Sequence, residues 1–352
     1  MRWDTLRLAG EDGQDTMAAP AMFDLASVTR SLDTPGFRGM TFHEVRAKTI
    51  ISKVPEASRV PFRWTINPYR GCSHACRYCF ARNTHTYLDF DAGHDFDTQI
   101  VVKVNAPELL RRELAAPRWR GEHIAMGTNV DCYQRAEGRY QLMPGIIRAL
   151  TDAANPFSIL TKGTLIMRDI DLLAEAADIT EVGLNVSVGI IDKHLSRLIE
   201  SGAPAPERRL AVCAALNERG LPCGVLMGPV IPHLSDSPAQ LDRAVREIAA
   251  TGATHVSPIV LHLRPGAREW FLAWLRDEHP ELTSAYRDLY GSRAYAPEAY
   301  QRQISEQVAE LARRYRVGRA TPRDARRAAS RRERSGGSAG AHGRQQAQLT
   351  LL

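Results

Sequence analysis

Residues 67–82 read NPYRGCSHACRYCFAR and place three cysteines, Cys72, Cys76 and Cys79, within eight positions. The chain has six cysteines in 352 residues, so half of its thiols lie at this one point. Gaps of three and two residues let one short loop wrap a metal cluster, because thiolates this close in sequence converge without help from distant segments. Three thiolates leave one iron of a four-iron cluster open to a substrate or cofactor. The spacing therefore predicts a catalytic iron–sulfur site.

Two other uses of these thiols compete with the cluster. A disulfide framework is disfavoured, because six cysteines are sparse for this length and no secretory segment is recognisable. A structural zinc site stays open, because His74 would complete a tetrahedral set with Cys72, Cys76 and Cys79. Zinc modules usually present two separated ligand pairs, whereas all candidates here share one loop. The zinc alternative corresponds to a non-catalytic or redox-sensing binding module.

The composition is that of a soluble globular protein with a large core. Hydrophobic residues make up 44% of the chain and charged residues 24%, which are ordinary values for this class. The first residues bring a charge every few positions and contain no apolar stretch long enough for a signal peptide or a membrane span. We therefore expect a cytoplasmic protein with no membrane partner, in a reducing compartment that keeps thiols free for iron.

The positive charge is concentrated near the C-terminus. The chain has 46 Lys and Arg against 40 Asp and Glu. Ten arginines and two acidic residues lie between Arg313 and Arg334, so the rest of the chain is close to neutral. The polar, glycine-rich sequence that follows predicts a disordered basic tail over residues 318–352. This tail is suited either to hold nucleic acid electrostatically or to act only as a solvated extension.

The order of predicted elements defines three further regions. Residues 1–39 lack periodicity and carry loop formers, which predicts a poorly ordered lead-in. A regular core follows over 40–265, and an aromatic-rich helical extension over 266–317. Within the core, strands and helices alternate. Extended segments are predicted at 41–54, 63–67 and 99–104, strands at 123–127, 157–161, 182–188, 224–230 and 254–262, and helices at 109–115, 143–154, 166–177, 208–219 and 238–250.

This alternation predicts an α/β fold with about six parallel strands. Strands of continuous Val, Ile and Leu are buried on both faces, as in parallel sheets covered by helices. Successive β–α units form either an open barrel or a doubly wound sheet. In both arrangements the loops after the strands form the active face, and the cysteine loop follows the first strand.

Polar residues that follow the other strands are expected to face the same site. They are Thr128, Asn129, Asp131, Tyr133, Gln134 and Glu137 after the second strand, Lys162 after the third, Asn185 and Ser187 on the fourth, and Ser257, His262 and Arg264 on and after the sixth. Each alone has a plainer explanation, since a Ser or Asn at a strand end often caps a helix and a Lys can lie along a rim. Cys213 and Cys223 are interpreted as core residues.

Together these features resemble the radical S-adenosylmethionine (SAM) superfamily, specifically its branch related to spore photoproduct lyase. The cysteine run has that group's Cys-x3-Cys-x2-Cys spacing with an aromatic residue, Tyr78, directly before the last cysteine. Further matches are the loop at 128–137, Thr161-Lys162 followed by Arg168-Asp169, and the turn at 229–232. The resemblance covers residues 44–262.

The resemblance implies a partial (β/α)6 TIM-like barrel with an N-terminal extension and a C-terminal helical region. It implies a [4Fe-4S] cluster on the three cysteines, with the amino and carboxylate groups of SAM on the fourth iron. One electron from a donor such as flavodoxin or ferredoxin would cleave SAM to methionine and a 5′-deoxyadenosyl radical, which takes a hydrogen atom from a substrate. That substrate is unidentified, and a lyase that repairs or modifies nucleic acid is one alternative.

The resemblance also implies which residues hold the cofactor. Lys162 and Ser187 are similar to positions that bind the SAM carboxylate in relatives, and aromatic residues of the cysteine loop would shield the cluster from water. The predicted cofactor-binding residues are Tyr78, Phe80, Thr128, Asp131, Lys162, Asn185 and Ser187.

No catalytic residue is assigned, and Cys132 and Tyr133 are the candidates. In the photoproduct lyases a cysteine near the second strand returns a hydrogen atom to the product radical. Here that strand ends in Ala125-Met126-Gly127-Thr128, and Cys132 lies farther along the loop. The resemblance therefore predicts a reaction type and leaves the substrate open.

Overall fold

The computed structural model describes residues 23–31, 37–56, 58 and 60–318. The predicted basic tail from residue 319 onwards and most of the predicted lead-in lie outside the described residues. One part of the lead-in, expected to lack regular structure, is a strand. This strand pairs antiparallel with the strand that follows it in the chain. The pairing depends on contacts with another segment, so the sequence of the lead-in alone does not predict it.

The described residues form eleven strands, eleven α-helices and four short 3-10 helices. The strands are β1 (Phe23–Ser31), β2 (Thr41–Ala47), β3 (Ile51–Lys53), β4 (Trp64–Ile66), β5 (Tyr69–Arg70), β6 (Gln99–Lys103), β7 (Ile124–Met126), β8 (Phe157–Thr161), β9 (Val182–Ser187), β10 (Cys223–Val230) and β11 (Val256–Val260). The helices are α1 (His94–Thr98), α2 (Ala106–Leu114), α3 (Arg135–Tyr140), α4 (Leu142–Asp152), α5 (Ile170–Ile179), α6 (Lys193–Ile199), α7 (Pro206–Glu218), α8 (Pro238–Ala250), α9 (Ala267–Glu278), α10 (Thr283–Tyr290) and α11 (Glu298–Arg314). No helix in this part of the chain is long and apolar enough to span a membrane.

The larger sheet confirms the partial barrel. Its order is β11-β10-β9-β8-β7-β4-β3, and β4, β7, β8, β9, β10 and β11 are parallel neighbours. Each strand lies beside its predecessor in this series, whereas a doubly wound sheet reverses its order at a switch point. The short strand β3 closes one edge antiparallel to β4. The sequential order decides between the two arrangements that the sequence left open.

A second sheet, β1-β2-β6-β5, supports the start of the barrel. The extended segment predicted at 41–54 divides into β2, in this small sheet, and β3, at the barrel edge. Likewise β5 belongs to the small sheet and β4 to the barrel. Residues 67 and 68 therefore connect a strand of the barrel to a strand of the small sheet. The chain enters the cysteine loop from β5.

Helices cover the outer face of the barrel strands. The predicted helices correspond to α2, α4, α5, α7 and α8, with shifts of a few residues at their ends. Helix α8 begins at a capping box formed by Ser237 and Gln240. Sequence periodicity did not identify α3 or α6, which have only six and seven residues. Residues next to both short helices contact the cysteine loop. Gln134 directly precedes α3, and Glu200 directly follows α6.

The register of β8, β9 and β10 shows which side chains share a face. Leu160 pairs with Asn185, and Asn185 pairs with Gly224. In β8 the residues on this face are half-buried, while Phe157 and Ile159 on the alternate face are buried. Asn185 therefore lies on the interior face of the barrel and not among the helices.

The close approach of β7 to β8 gives a test of the barrel. Gly127 has φ +76°, and a Cβ at this position would lie 1.8 Å from the Leu160 carbonyl oxygen. Gly121 has a similar φ of +69° but open space around its Cβ position. We expect Gly121→Ala to lower the free energy of unfolding by about 1–2 kcal/mol through backbone strain alone. Gly127→Ala should cost roughly 3 kcal/mol or more, because overpacking adds to the strain. Urea denaturation of both variants measures the difference, and equal losses would contradict the close approach of the two strands.

Candidate active site at the cysteine loop

The cysteine loop begins with a tight turn after β5. Gly71 has φ +76°, and a Cβ there would lie 2.8 Å from the Gln99 carbonyl oxygen, so only glycine fits without strain. The Cys72 amide donates to the Phe96 carbonyl at 2.9 Å. Further turns follow, since the amides of Ala75 and Cys79 donate to the carbonyls three residues earlier. These bonds hold the loop as a compact wrap.

Gln134 clamps the first half of this loop. Its Oε1 accepts from the Ser73 amide at 2.9 Å, and its Nε2 donates to the Gly71 carbonyl at 2.9 Å. The side chain is fully buried. The polar loop predicted at the end of the second strand therefore does contact the cysteine loop. The contact consists of hydrogen bonds from the Gln134 side chain to the backbone of the cysteine loop.

Arg82 clamps the second half. Its Nε and Nη2 donate to the Cys76 carbonyl at 3.0 and 2.9 Å, and its Nη1 donates to the carbonyls of Ala92 and Gly93. Nη2 also lies 2.8 Å from a carboxylate oxygen of Asp97. The guanidinium is fully buried, so its charge is balanced by this one carboxylate and by carbonyl oxygens.

Glu200 holds the middle of the loop from the other side. It forms an antiparallel bridge with Cys76, and its carboxylate accepts from the Tyr78 hydroxyl and pairs with Arg209. Both charged side chains are buried. Burial raises the pKa of Glu200, but the charges of Arg209 and Lys162 outweigh this effect and lower it. Sequence reasoning missed Arg82, Glu200 and Arg209, and only the position of Arg82 inside the cysteine run offered a signal.

Cys72 and Cys76 are buried, Cys79 is half-buried, and none of the three thiols forms a disulfide. Burial raises the pKa of Cys72 and Cys79, and it raises that of Cys76 to about 12 against the opposing charge of Lys162. A thiol that burial keeps neutral becomes a thiolate when a cation binds it. Three thiols of raised pKa in one loop therefore fit a cationic cluster, which would compensate the charge that burial opposes.

The geometry does not support the zinc set with His74. Its Nδ1 lies 3.4 Å from the Asp131 carboxylate, which engages the imidazole within the protein. Among the residues that the structure describes, no three His, Cys, Asp or Glu side chains are arranged as ligands of one metal ion. The thiolates of a four-iron cluster bind different irons and are held farther apart than the ligands of a single ion.

Asp131 joins the second and third barrel strands. Its carboxylate accepts from the Thr161 hydroxyl at 2.7 Å, the Lys162 amide at 2.6 Å and the Tyr133 amide at 2.9 Å. Burial would raise its pKa, but the charge of His74 and these hydrogen bonds lower it to about 2. The sequence predicted Asp131 as a cofactor-binding residue, whereas its observed partners belong to the protein and fix the backbone of Lys162.

The Lys162 side chain returns toward the cysteine loop. Its Nζ lies 5.7 Å from the centroid of the Tyr78 ring, within range of a cation–π interaction. Burial lowers the pKa of this amine, but Cys76 and Glu200 raise it overall. The predicted pair of Lys162 and Tyr78 therefore does meet, beside Cys76.

The residues predicted on β9 have different environments. Ser187 is buried and donates to the Gly228 carbonyl at 3.1 Å, so its oxygen retains acceptor capacity. The Asn185 Oδ1 is buried and has no hydrogen-bond partner among the described residues. A buried amide oxygen without a partner is costly unless a ligand supplies a donor. Thr128 is half-buried at the end of β7.

Cys132 and Tyr133 lie in the core. Cys132 is fully buried, and the Tyr133 hydroxyl donates to Asp169 at 3.0 Å. A neighbouring buried network joins the Tyr69 hydroxyl to Glu137 at 2.6 Å, and Glu137 to Arg168. These contacts are those of residues that support the second loop and argue against a role in hydrogen transfer.

An aromatic cluster lies where β11 ends. The Phe80 ring is 5.7 Å from the His262 ring, which stacks on Tyr295 at 5.6 Å. The Arg264 guanidinium lies over the rings of both Phe80 and Tyr295, and it donates to the Tyr295 hydroxyl at 2.7 Å. Burial and the charge of Arg264 lower the pKa of His262 to about 4, so this imidazole is neutral near pH 7. Tyr295 is 44% exposed, so this cluster is partly open to solvent.

The fold and the site together define the class: a partial barrel of six parallel strands with three cysteine thiols clustered in the loop after its first strand. The family model of the radical SAM superfamily matches residues 66–245. The chain belongs to the radical SAM superfamily and is an enzyme of that class, whose members use a [4Fe-4S] cluster and SAM. This membership disfavours the non-catalytic zinc module.

Several proteins are similar to this chain. An uncharacterized protein of Mycobacterium tuberculosis is 53% identical over 303 residues, which is 86% of this chain and 89% of the relative. One from Methanocaldococcus jannaschii is 31% identical and covers 55% of this chain and 69% of the relative. The solved structure of spore photoproduct lyase complexed with dinucleoside spore photoproduct has a TM-score of 0.59 at 13% identity, covering 79% of this chain and 80% of that one. The last likeness shows a shared fold.

The buried ion pair behind the loop gives a prediction about stability. Glu200→Gln leaves Arg209 buried without its counter-charge, so the free energy of unfolding should fall by about 3–5 kcal/mol. Glu247→Gln, which removes the exposed partner of Arg243, should cost about 0.5 kcal/mol or less. Urea denaturation at pH 7 compares the two variants. A loss for Glu200→Gln no larger than for the surface control would show that the network does not stabilise the loop.

Proposed function

We propose that this enzyme binds a [4Fe-4S] cluster through Cys72, Cys76 and Cys79 and cleaves SAM reductively to act on a substrate by hydrogen abstraction. The observation that carries the proposal is the set of three cysteines in one loop, of which Cys72 and Cys76 are buried and Cys79 is half-buried, with the Lys162 ammonium beside Cys76. Burial disfavours thiolates there unless a cationic cluster is present. The family supplies the cluster type, and the chain supplies the ligands.

A reduced [4Fe-4S] cluster held by these cysteines would supply the electron for the reductive cleavage of SAM. The protein orients the cofactor and excludes water. Lys162 offers a positive charge to the SAM carboxylate, and Ser187 and the unpartnered Asn185 Oδ1 offer polar contacts on the barrel interior. Tyr78 is fixed by Glu200 and covers the loop beside Lys162. Asp131 accepts a hydrogen bond from the Lys162 amide and so positions this residue.

The proposal also includes an electron donor and a reducing compartment. A one-electron carrier such as flavodoxin or ferredoxin would reduce the cluster. The cytoplasm expected from the sequence suits this chemistry, because it keeps the three thiols reduced and free for iron.

The ligand assignment is tested by Cys76→Ala. Anaerobically reconstituted wild-type protein should contain iron and sulfide in cluster amounts and should form 5′-deoxyadenosine from SAM after reduction with dithionite. Cys76→Ala should lose both, because two thiolates do not hold the cluster. Iron and sulfide analysis, electron paramagnetic resonance and product chromatography measure these outcomes.

Two control variants separate the cluster from SAM binding. Cys213→Ala, in the core between α7 and β10, should keep the cluster and the activity. Lys162→Met should keep the cluster but weaken SAM binding, because the carboxylate loses its counter-charge. A wild-type protein that holds an intact cluster and never forms deoxyadenosine would refute the proposed function.

A nucleic-acid-derived substrate is a second candidate, which the aromatic cluster at the end of β11 favours. Planar bases stack on exposed aromatic rings and on arginine planes, and Tyr295 and Arg264 present both. A spore photoproduct lyase of the same fold is described as holding a dinucleoside spore photoproduct. The arginine-rich tail predicted beyond residue 318 would add sequence-independent attraction.

This candidate is tested by the binding of a single-stranded oligonucleotide. Tyr295→Leu should weaken binding roughly five- to hundredfold, since base–aromatic stacking contributes about 1–3 kcal/mol. Tyr87→Leu, which removes another exposed tyrosine, should leave it unchanged. Fluorescence anisotropy across a salt series measures both. Equal affinities of the two variants would remove nucleic acid as a ligand of this cluster of rings.

A further inference from the structure

An open groove lies on the outer side of the cysteine loop. The loop contributes Ser73, Ala75 and Arg77 to its lining. These residues alternate with the predicted ligands, since Ser73 follows Cys72 and Cys76 stands between Ala75 and Arg77. A molecule seated in the groove is therefore separated from the thiols by the thickness of one loop.

The groove is distinct from the side where SAM is proposed to bind. Neither Lys162 nor Asn185 nor Ser187 lines it. Other parts of its wall come from residues near β2, α1, α3 and α9, outside the barrel interior. The loop therefore has one face toward the barrel and another toward this groove, and both reach the cysteines.

The groove is positively charged. Arg38 and Arg135 are exposed in its wall, and Arg77 is half-buried. Asp97 is the acidic residue among the described lining, and its charge is already paired with buried Arg82. The field at the groove mouth therefore attracts an anionic partner.

The floor of the groove also contains unpaired donors. The Arg77 guanidinium lies 5.1 Å from the centroid of the Trp270 ring. The Arg77 Nε and the Trp270 Nε1 are both buried and have no hydrogen-bond partner among the described residues. Because these two atoms have no exposed surface, Arg77 contributes to the groove through the charge of its guanidinium.

We propose that this groove is the docking site of an acidic one-electron-transfer protein of the ferredoxin or flavodoxin class, an inference that rests on the proposed function. The donor has to come close to the cluster without displacing SAM or the substrate, and the groove meets both conditions. Redox complexes of this kind bury little surface and depend on electrostatic steering. The donor loses one electron and the cluster gains it, with no atom transferred.

The test compares charge reversals inside and outside the groove in the reconstituted full-length protein. The double variant Arg38→Glu/Arg135→Glu changes two exposed groove residues. The control Arg276→Glu/Arg302→Glu makes the same change of net charge at exposed positions of α9 and α11. A low-potential ferredoxin and a flavodoxin serve as probes, and dithionite serves as a reductant that needs no docking.

The groove variant should bind the probes at least tenfold more weakly than the control at low salt, as measured by biolayer interferometry. The difference should shrink at high salt, where surface charges are screened. Cluster reduction by the protein donors should slow by a similar factor, while deoxyadenosine formation with dithionite should stay within twofold of wild type. Arg77→Gln provides a second variant that removes the charge at the floor.

The outcomes of this experiment distinguish the docking proposal from the proposed function. Equal donor binding and equal reduction rates in the groove variant and the control would overturn the docking site. A groove variant that loses affinity for an oligonucleotide but binds the donors normally would also overturn it and assign the groove to nucleic acid. Failure of the wild type with dithionite counts against the proposed function alone, because the binding measurement does not depend on turnover.

Discussion

The carbonyl group of Cys76 is the point on which the site depends. Arg82 donates two hydrogen bonds to it, while the bridge with Glu200 fixes the same residue from the opposite side. A loop that must present three thiolates to one cluster cannot be mobile, and it has no helix or long strand to stiffen it. Buried charged side chains provide this rigidity, because a guanidinium satisfies several carbonyl groups at once. The cost of burying these charges is offset by Asp97 for Arg82 and by Arg209 for Glu200.

Buried charged side chains also determine the electrostatic environment of the three cysteines. Glu200 and Arg209 neutralise each other, so the Lys162 ammonium is the excess positive charge beside Cys76. Asp131 could have cancelled it, but its carboxylate accepts from the Lys162 backbone and from Thr161 while it faces His74. The arrangement leaves the amine of Lys162 directed at the loop, while the negative charge of Asp131 helps to raise its pKa. An anionic cofactor group is the natural complement to that charge.

The sequence predicted those parts of the molecule that are encoded locally. The cysteine spacing lies in one loop, and the alternation of helices and strands repeats along the chain. Both features can therefore be recognised in the sequence without knowledge of any tertiary contact. Strand order distinguished the barrel from the doubly wound sheet only in the structure, because it depends on pairing between distant segments. Arg209 and Glu200 escaped prediction for the same reason, since Glu200 is more than a hundred residues from Tyr78, whose hydroxyl it accepts. The polar loop at 128–137 predicts Asp131 as a cofactor-binding residue, which stays a prediction, and its hydrogen bonds show that it also organises its neighbours. The short helices α3 and α6 contain too few turns to show a period.

A loop one chain thick gives the site two independent faces. In this loop Cys72, Cys76 and Tyr78 are buried, whereas Ser73, Ala75 and Arg77 line the outer groove. A radical enzyme has to exclude water where the radical forms, yet it must also receive an electron from outside. Those two demands conflict if one opening serves both, because a cavity wide enough for a protein donor would expose the radical to solvent. In the proposed arrangement the ligands lie in a single layer between the barrel interior and the open basic groove, which would remove the conflict, since the electron would cross the layer and the solvent would not.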